Sequence, residues 1–374
     1  MDEPPSDPRV LFLYRDSALR REGLASPEGA PARYSLFGLD ELRASGMNAR
    51  HNLVQECAPG RSARGAASLT NRALSVSGGY GGDFASVLAC RREISAADLV
   101  LSTVDTLGLP LMLLQRARVI ARTPVVYVSV GLLDRMSRLQ RPGMLRRYRE
   151  AVGLARAVIA YGHAEAAELR EWLSPLPSAP PVHFVPFGVD TEAFVPLDLE
   201  PDVDVVSVGA DPKRDLSMLA RVARATPSLS YRVVAAPGQG AELTDLANAE
   251  LRTGVPFAKI PRLLGSGRVV LLPVRENSYS GATTTLLQAM AMAKPVVVSR
   301  TSAISEGYAL VDGETCRLVP PGDTASHGAA VRELLNDPAA AEELGRRARA
   351  HVTRALAWGA YVDRVRAVIV AAAT

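Results

Sequence analysis

Short apolar runs alternate with amphipathic stretches along most of the chain. Runs at 10–14, 48–54, 98–103, 124–130 and 157–161 predict strands, and 36–45, 108–117 and 164–172 carry helical spacing. A proline-rich stretch at 174–186, SPLPSAPPVHFVP, then interrupts the pattern and reads as a linker. Beyond it the alternation restarts, with strands predicted at 204–208, 231–235, 270–274 and 296–298, and helices at 216–225, 257–264, 283–293, 326–350 and 358–371. Such alternation predicts α/β architecture with parallel sheets, because a parallel strand pair needs a crossover long enough to hold a helix. Two such halves predict two domains, with ligands expected in a cleft between them. The segment 58–83 is rich in Gly, Ser, Ala and Arg and ends in SGGYGGD; it is expected to be a mobile loop.

The most telling stretch is 270–299, VLLPVRENSYSGATTTLLQAMAMAKPVVVS, which reads as strand, polar loop, helix and strand. A helix starting just past a strand end turns its unpaired N–H groups outward, where they suit an anion. The loop has no P-loop lysine and no dinucleotide glycine spacing, so the usual phosphate fingerprints are excluded. The GGYGG run also lacks the third glycine of that fingerprint.

Composition narrows the class. The chain has 374 residues, 48% of them hydrophobic and 5% aromatic. No apolar run reaches the roughly 20 residues of a spanning helix, and the opening MDEPPSDP is unlike a signal peptide. The cysteines, Cys57, Cys90 and Cys316, are widely spaced and odd in number, which predicts a reduced cytoplasmic protein with no disulfide or zinc framework. Arginine carries nearly all the positive charge, lysine standing only at Lys213, Lys259 and Lys294. Arginine suits planar contacts to phosphate or carboxylate. A nucleic-acid partner is not expected, because no basic stripe with interleaved aromatics is present. The dense cluster at 135–149, RMSRLQRPGMLRRYR, reads as a solvated helix face, with weak contact to an anionic membrane as the sharper alternative. Asp202-Val203-Asp204 has the form of a metal-binding DxD but enters a buried strand, so no metal is expected there.

Four segments then fall into register. VPFGVDTEAFVP (185–196), DVVSVG with PKR (204–214), LLQAMAMAKPVVVS (286–299) and VDGETCRLVPPGD (311–323) lie in order. Together they resemble the motifs of the glycogen-synthase-like (group 1) retaining glycosyltransferases; the N-terminal half matches only as a β/α pattern. The resemblance implies a GT-B type α/β fold, two Rossmann-like β/α/β domains facing each other across a cleft. It implies an acceptor domain at 1–183, a nucleotide-sugar domain at 184–355, and a C-terminal helix at 356–374 packing back on the N-terminal domain. It further implies a cytoplasmic, metal-independent enzyme with no cofactor. Such an enzyme moves a sugar with retention from a UDP-, dTDP- or GDP-sugar donor to a small-molecule acceptor, as in natural-product or antibiotic tailoring. A lipid or cell-envelope acceptor and a non-catalytic nucleotide-sugar-binding role stay open.

Under that resemblance Lys213 and Arg214 neutralise the leaving diphosphate, with Gly209 at the end of the preceding strand. Gly281, Ala282, Thr283 and Thr284 form the helix start that receives phosphate. Gln288, one turn beyond Thr284, stands where the family usually carries the glutamate that holds the ribose hydroxyls. Ser280 stands where its other glutamate meets the donor sugar. Both carboxylates are therefore missing, which predicts a modified donor and favours a 2′-deoxyribose nucleotide such as dTDP more than usual. Glu276 is a nearby carboxylate that can substitute. In the acceptor half, Asp105 follows the strand at 98–103 and is expected to orient the acceptor; His163, after the strand at 157–161, is expected to face the cleft. Arg15, Asp16, Gly131 and Asp134 occupy similar strand-end loops, whereas His51 and His327 attach to no defensible role.

Overall fold

The computed structural model describes residues 8–25, 35–139, 141–279 and 281–374. Residues 1–7 and Ser280, both considered above, lie outside the described residues. The chain divides into two compact units: one gathers Ser35–Val185, Val362–Thr374 and the described part of Met1–Ala25, and the other holds Pro186–Tyr361.

In the first unit the strands are β1 (Val10–Leu13), β2 (Ala49–His51), β3 (Leu99–Ser102), β4 (Val125–Ser129), β5 (Ala157–Ala160) and β6 (Val182–Phe184). They form a parallel sheet in the order β2-β1-β3-β4-β5-β6. The central strands are buried along their whole length, which is why they read as continuous apolar runs rather than alternating ones. Leu11, Val100, Val125, Tyr127 and Val158 share one core cluster with Leu107, Leu111 and Met112 of the helix Asp105–Arg116.

Two expectations for this unit are corrected. The segment 58–83 is mostly a helix, Arg61–Val76. Only Ala67 of that helix is fully buried, Leu69 and Val76 are 72% and 74% exposed, and the partly covered face at Ala63, Thr70, Asn71 and Leu74 is mostly small or polar, so its helical period is easily mistaken for a loop composition. Its alanines and arginines favour the helix by propensity instead. The glycines that follow are places of close approach: a Cβ on Gly79 would stand 2.5 Å from Met144 Cε, and one on Gly82 2.5 Å from Pro110 Cγ. Asn71 then accepts from Gly82 N and donates to Gly82 O, each at 3.0 Å. Second, Cys57 and Cys90 are joined as a disulfide, with Cα atoms 4.5 Å apart. The turn Gln55–Cys57 lies against the end of the helix Phe84–Ala89, a juxtaposition that cysteine spacing does not reveal. Cys316 is buried, and burial pushes its thiol up to about 12, so it is an inert packing group. The arginine cluster falls in two short helices, Leu132–Met136 and Pro142–Val152, with Arg138 and Arg146 exposed, and part of its charge is answered locally. Arg138 pairs with Asp134, Arg146 with Glu150, and Arg149 lies over the Trp172 ring. No helix among the described residues is long and apolar enough to cross a membrane.

The second unit contains β7 (Val203–Val208), β8 (Tyr231–Ala235), β9 (Ala249–Thr253), β10 (Gly267–Leu272), β11 (Val296–Ser299) and β12 (Arg317–Val319). These are parallel in the order β12-β11-β10-β7-β8-β9, so the chain reverses direction of travel between β7 and β10. The predicted helix at 326–350 is two helices, Thr324–Asn336 and Pro338–Ala355. Asp337 caps the second by accepting from Ala340 N at 3.0 Å, and proline follows at the first helical position, where its missing N–H costs nothing. That helix packs through Gly345, whose Cβ would stand 2.0 Å from the Ala293 carbonyl oxygen. Gly345→Ala is therefore expected to destabilise the unit by about 2–3 kcal/mol, read as a lowered thermal midpoint; an unchanged midpoint would show that the helices separate freely.

Candidate active site

The reversal between β7 and β10 sends two loops apart from the carboxyl ends of adjacent strands, the usual place for a ligand crevice in an open α/β sheet. Here the loops are stitched together at their bases. Asp215 N donates to Pro273 O at 2.9 Å and Arg275 N to Lys213 O at 2.8 Å. Val274 N donates to Ser299 Oγ at 2.9 Å, and Ser299 Oγ lies 3.1 Å from His327 Nε2. His327 Nδ1 lies 2.7 Å from the Asp323 carbonyl, which only accepts, so the proton sits on Nδ1 and Ser299 donates to Nε2. Burial lowers the His327 pKa, which keeps this neutral form. His327 thus acquires a role that sequence reasoning missed: it fixes the loop after β10 from behind. Its only signal was a position one helical turn beyond the capping Asp323.

Arg214 is the central cation. It is 4% exposed, and its Nη2 donates to Ser207 Oγ at 2.6 Å. Its Nε and Nη1 are buried with no hydrogen-bond partner among the described residues. Burial pushes its pKa down to about 10, which leaves it a cation at neutral pH. The side chain runs past Gly209, whose Cβ would stand 3.4 Å from Arg214 Cδ. Lys213 N donates to Asp211 Oδ1 at 2.8 Å, and the same oxygen accepts from the Tyr279 hydroxyl at 3.2 Å. Across the loop, a Cβ on Gly281 would lie 3.2 Å from Asn277 Oδ1 and 3.3 Å from Asp211 Oδ1, so only glycine leaves this space open. The helix Thr283–Ala291 begins here. Ala282 precedes it in the left-handed region, at φ 63°, without a capping side-chain bond. Thr283 Oγ1 and Asn277 Oδ1 are both buried and without a partner among the described residues. A cation, a helix start and unanswered polar atoms thus gather where negative charge is best received.

Beside this cluster lies a cavity of about 340 Å³ at the carboxyl ends of β7 and β8 and beyond β9. Val208, Gly209, Ala236, Val255, Phe257 and Ile260 give it mainly apolar walls, and Thr284, Thr285 and Gln288 close one side. Gln288 is 3% exposed. Thr284 and Gln288 also border a crevice with Gly188, Val189 and Asp190 of the linker motif. A larger concavity, about 730 Å³, opens past the loop after β9, but its walls are charged and it lies away from the helix start and Arg214. The smaller cavity is the one placed for chemistry.

Of the candidates read from sequence, Gly209, Lys213, Arg214, Gly281, Ala282, Thr283, Thr284 and Gln288 fall in these loops and the helix they lead into. Glu276 lies in the same loop, but its Oε1 accepts from Asn277 N at 3.1 Å and Ser302 N at 2.8 Å, so it braces backbone. Asp105 and His163 belong to the first unit. Asp105 is fully buried, with Oδ1 accepting from the Tyr127 hydroxyl and from Val130 N at 3.1 Å. His163 is exposed at the start of the helix His163–Leu173, edge-on to Phe184. Glu165, which the sequence did not single out, is buried close to Asp105. Its Oε1 accepts from Ser129 Oγ at 2.6 Å and Gly131 N at 2.8 Å. Burial, with Asp105 nearby, raises the Glu165 carboxyl to about 8.

Residues 200–337 match the family model described as "Glycosyl transferases group 1". This part of the chain is a group 1 glycosyl transferase domain. A stretch of 189 residues, 47% of the chain, is 28% identical to the MMP alpha-(1->4)-mannosyltransferase of Mycolicibacterium hassiacum, and the match spans 45% of that relative's length. Among solved structures, sucrose-phosphate synthase from Thermosynechococcus elongatus aligns over 96% of this chain and 98% of its own, with a TM-score of 0.69 and 16% identity. Anabaena HepE in complex with UDP-glucose aligns over 96% and 98%, with a TM-score of 0.64 and 15% identity. The fold is the GT-B type, and the switch-point loops, Arg214 and the helix start all lie inside the group 1 domain.

Proposed function

We propose that the protein is a retaining glycosyltransferase that moves a hexose from a nucleoside diphosphate to a small-molecule acceptor. The observation that carries this reading is Arg214, a buried guanidinium with two nitrogens that have no partner among the described residues, set beside a helix start with no side-chain cap among them, at a topological switch point. As the bond from the sugar C1 to the diphosphate oxygen breaks, negative charge grows on the phosphate. Arg214, the helix N–H groups and the Lys213 charge stabilise it without reorganising. The acceptor oxygen forms the new bond to C1 on the same face, and its proton passes to the leaving phosphate oxygen, so no pair of protein carboxylates is needed. The apolar 340 Å³ cavity has walls suited to a nucleobase. The mannosyltransferase relative supports a hexosyl donor. The local pairing of the 135–149 arginines favours a soluble acceptor over a lipid one.

Gln288 sets the nucleotide preference in this reading. A glutamine accepts from one ribose hydroxyl and donates to another group, whereas a carboxylate accepts from two. Calorimetry with UDP, GDP and dTDP is expected to find dTDP binding within about tenfold of UDP. Gln288→Glu should move the preference toward the ribonucleotides. Exclusive binding of UDP by the unaltered protein overturns this assignment of Gln288.

A further inference from the structure

We propose that the group 1 domain holds a second anion site, separate from the nucleotide cavity, which takes a small phosphorylated molecule between Arg252, Lys259 and Arg262. These residues border the 730 Å³ concavity alongside β9, the edge strand of its sheet. At its base lies Arg232, with a side chain only 13% exposed. Arg232 donates to Asp202 Oδ1 at 2.6 Å, Glu250 Oε2 at 2.9 Å and Ser266 Oγ at 2.9 Å. Glu250 also accepts from Arg252 Nε at 2.6 Å. Two carboxylates thus answer two arginines and hold them in place.

Lys259 and Arg262 then add charge that nothing answers. Both are exposed, and neither has an ion-pair partner among the described residues. They stand three positions apart where the turn Phe257–Lys259 runs into the helix Ile260–Gly265, a spacing that puts them on one face. The concavity therefore carries an excess of cations, and Asp202, the one acid on its wall, is already engaged by Arg232. Guanidinium groups and an ammonium that line one concavity suit phosphate oxygens better than a single carboxylate. The volume admits more than orthophosphate alone, so the class is a phosphorylated small molecule.

Gly254 and Val255 line this concavity and the 340 Å³ cavity alike. Gly254 has φ +65°, a left-handed conformation that glycine adopts freely. The loop after β9 is thus a common wall, and an anion held on one side biases the side facing the nucleotide. This coupling rests on the proposed nucleotide function; the anion site does not.

The test uses inorganic pyrophosphate as probe and the full chain, by calorimetry at fixed ionic strength, with and without saturating UDP. Pyrophosphate is expected to bind in the presence of UDP. The double variant Lys259→Gln/Arg262→Gln should weaken that binding about tenfold or more while leaving UDP affinity intact. Competition between UDP and pyrophosphate for one site, or affinity within about twofold in the double variant, overturns the proposal. Coupling is read as a shift in UDP affinity on adding pyrophosphate that disappears in the double variant; its absence removes the coupling and leaves the site. Failure of UDP to bind at all counts against the proposed function, while the double-variant comparison still decides the anion site.

Discussion

Arg214→Ala is expected to slow donor cleavage by about 10²–10³-fold, the loss typical of removing a preorganised group that meets developing charge. The loss should fall on kcat more than on KM, because the guanidinium meets most charge once the sugar–phosphate bond is breaking. The fold is expected to survive the substitution. Arg214 is a buried cation with two nitrogens unsatisfied among the described residues, so its removal relieves a desolvation cost while giving up one hydrogen bond to Ser207. Arg214→Lys keeps the charge but not the planar fork, and should recover only part of the rate. Initial rates of donor hydrolysis or transfer, paired with thermal melts, check both variants. A loss below tenfold in a folded Arg214→Ala protein would remove Arg214 from the catalytic group.

The second large effect concerns pH. Glu165 and Asp105 accept from adjacent backbone amides, Gly131 and Val130, and so hold the turn after β4 from two sides. Each leaves one buried carboxyl oxygen without a hydrogen-bond partner among the described residues. Arg135, 3.7 Å from Asp105, is the nearby cation, while Glu168 adds a further negative field. Burial raises both acids, Glu165 from 4.5 to about 8. A raised carboxyl binds a proton in the folded chain that the unfolded chain releases. Its contribution is therefore complete below pH 4.5 and drains away as pH climbs to about 8. For Glu165 this amounts to a fall on the order of 5 kcal/mol across that window. Glu165→Gln reproduces the neutral acid in shape and keeps the oxygen that serves Ser129 and Gly131. The variant should match the wild type near pH 5 and exceed it near pH 8. Thermal midpoints of the two proteins across that range decide the matter, and parallel curves would mean that Glu165 is ionised throughout.

The candidate site in the second unit was legible because its elements lie in contiguous sequence. The run 270–299 folds as a strand, a polar loop, the helix Thr283–Ala291 and a second strand, and both strands are buried enough to read as apolar runs. The helix start needed only local rules. What could not be read were features set by packing between distant segments. The helix Arg61–Val76 turns inward a face of mostly small or polar residues, Ala63, Ala67, Thr70, Asn71 and Leu74, so its composition looks like that of a loop. Cys57 and Cys90 lie 33 positions apart, and their pairing depends on where a short turn meets a helix end. Asp105, expected from its strand-end position to orient the acceptor, is instead enclosed by the Tyr127 hydroxyl and the turn after β4. His327 acts through Ser299 on Val274, a relay across three segments with no contiguous motif.

The assignment of Val362–Thr374 to the first unit has a consequence for how the protein is made. On the chain, the whole of Pro186–Tyr361 comes between Val185 and this segment. Val362 closes against Gly38, and Val365, Val368 and Ile369 are buried. During translation, the first unit therefore emerges early but waits, with an apolar face unfilled, until the second has been synthesised in full. Of the two units, the one that starts to emerge earlier is the one completed later.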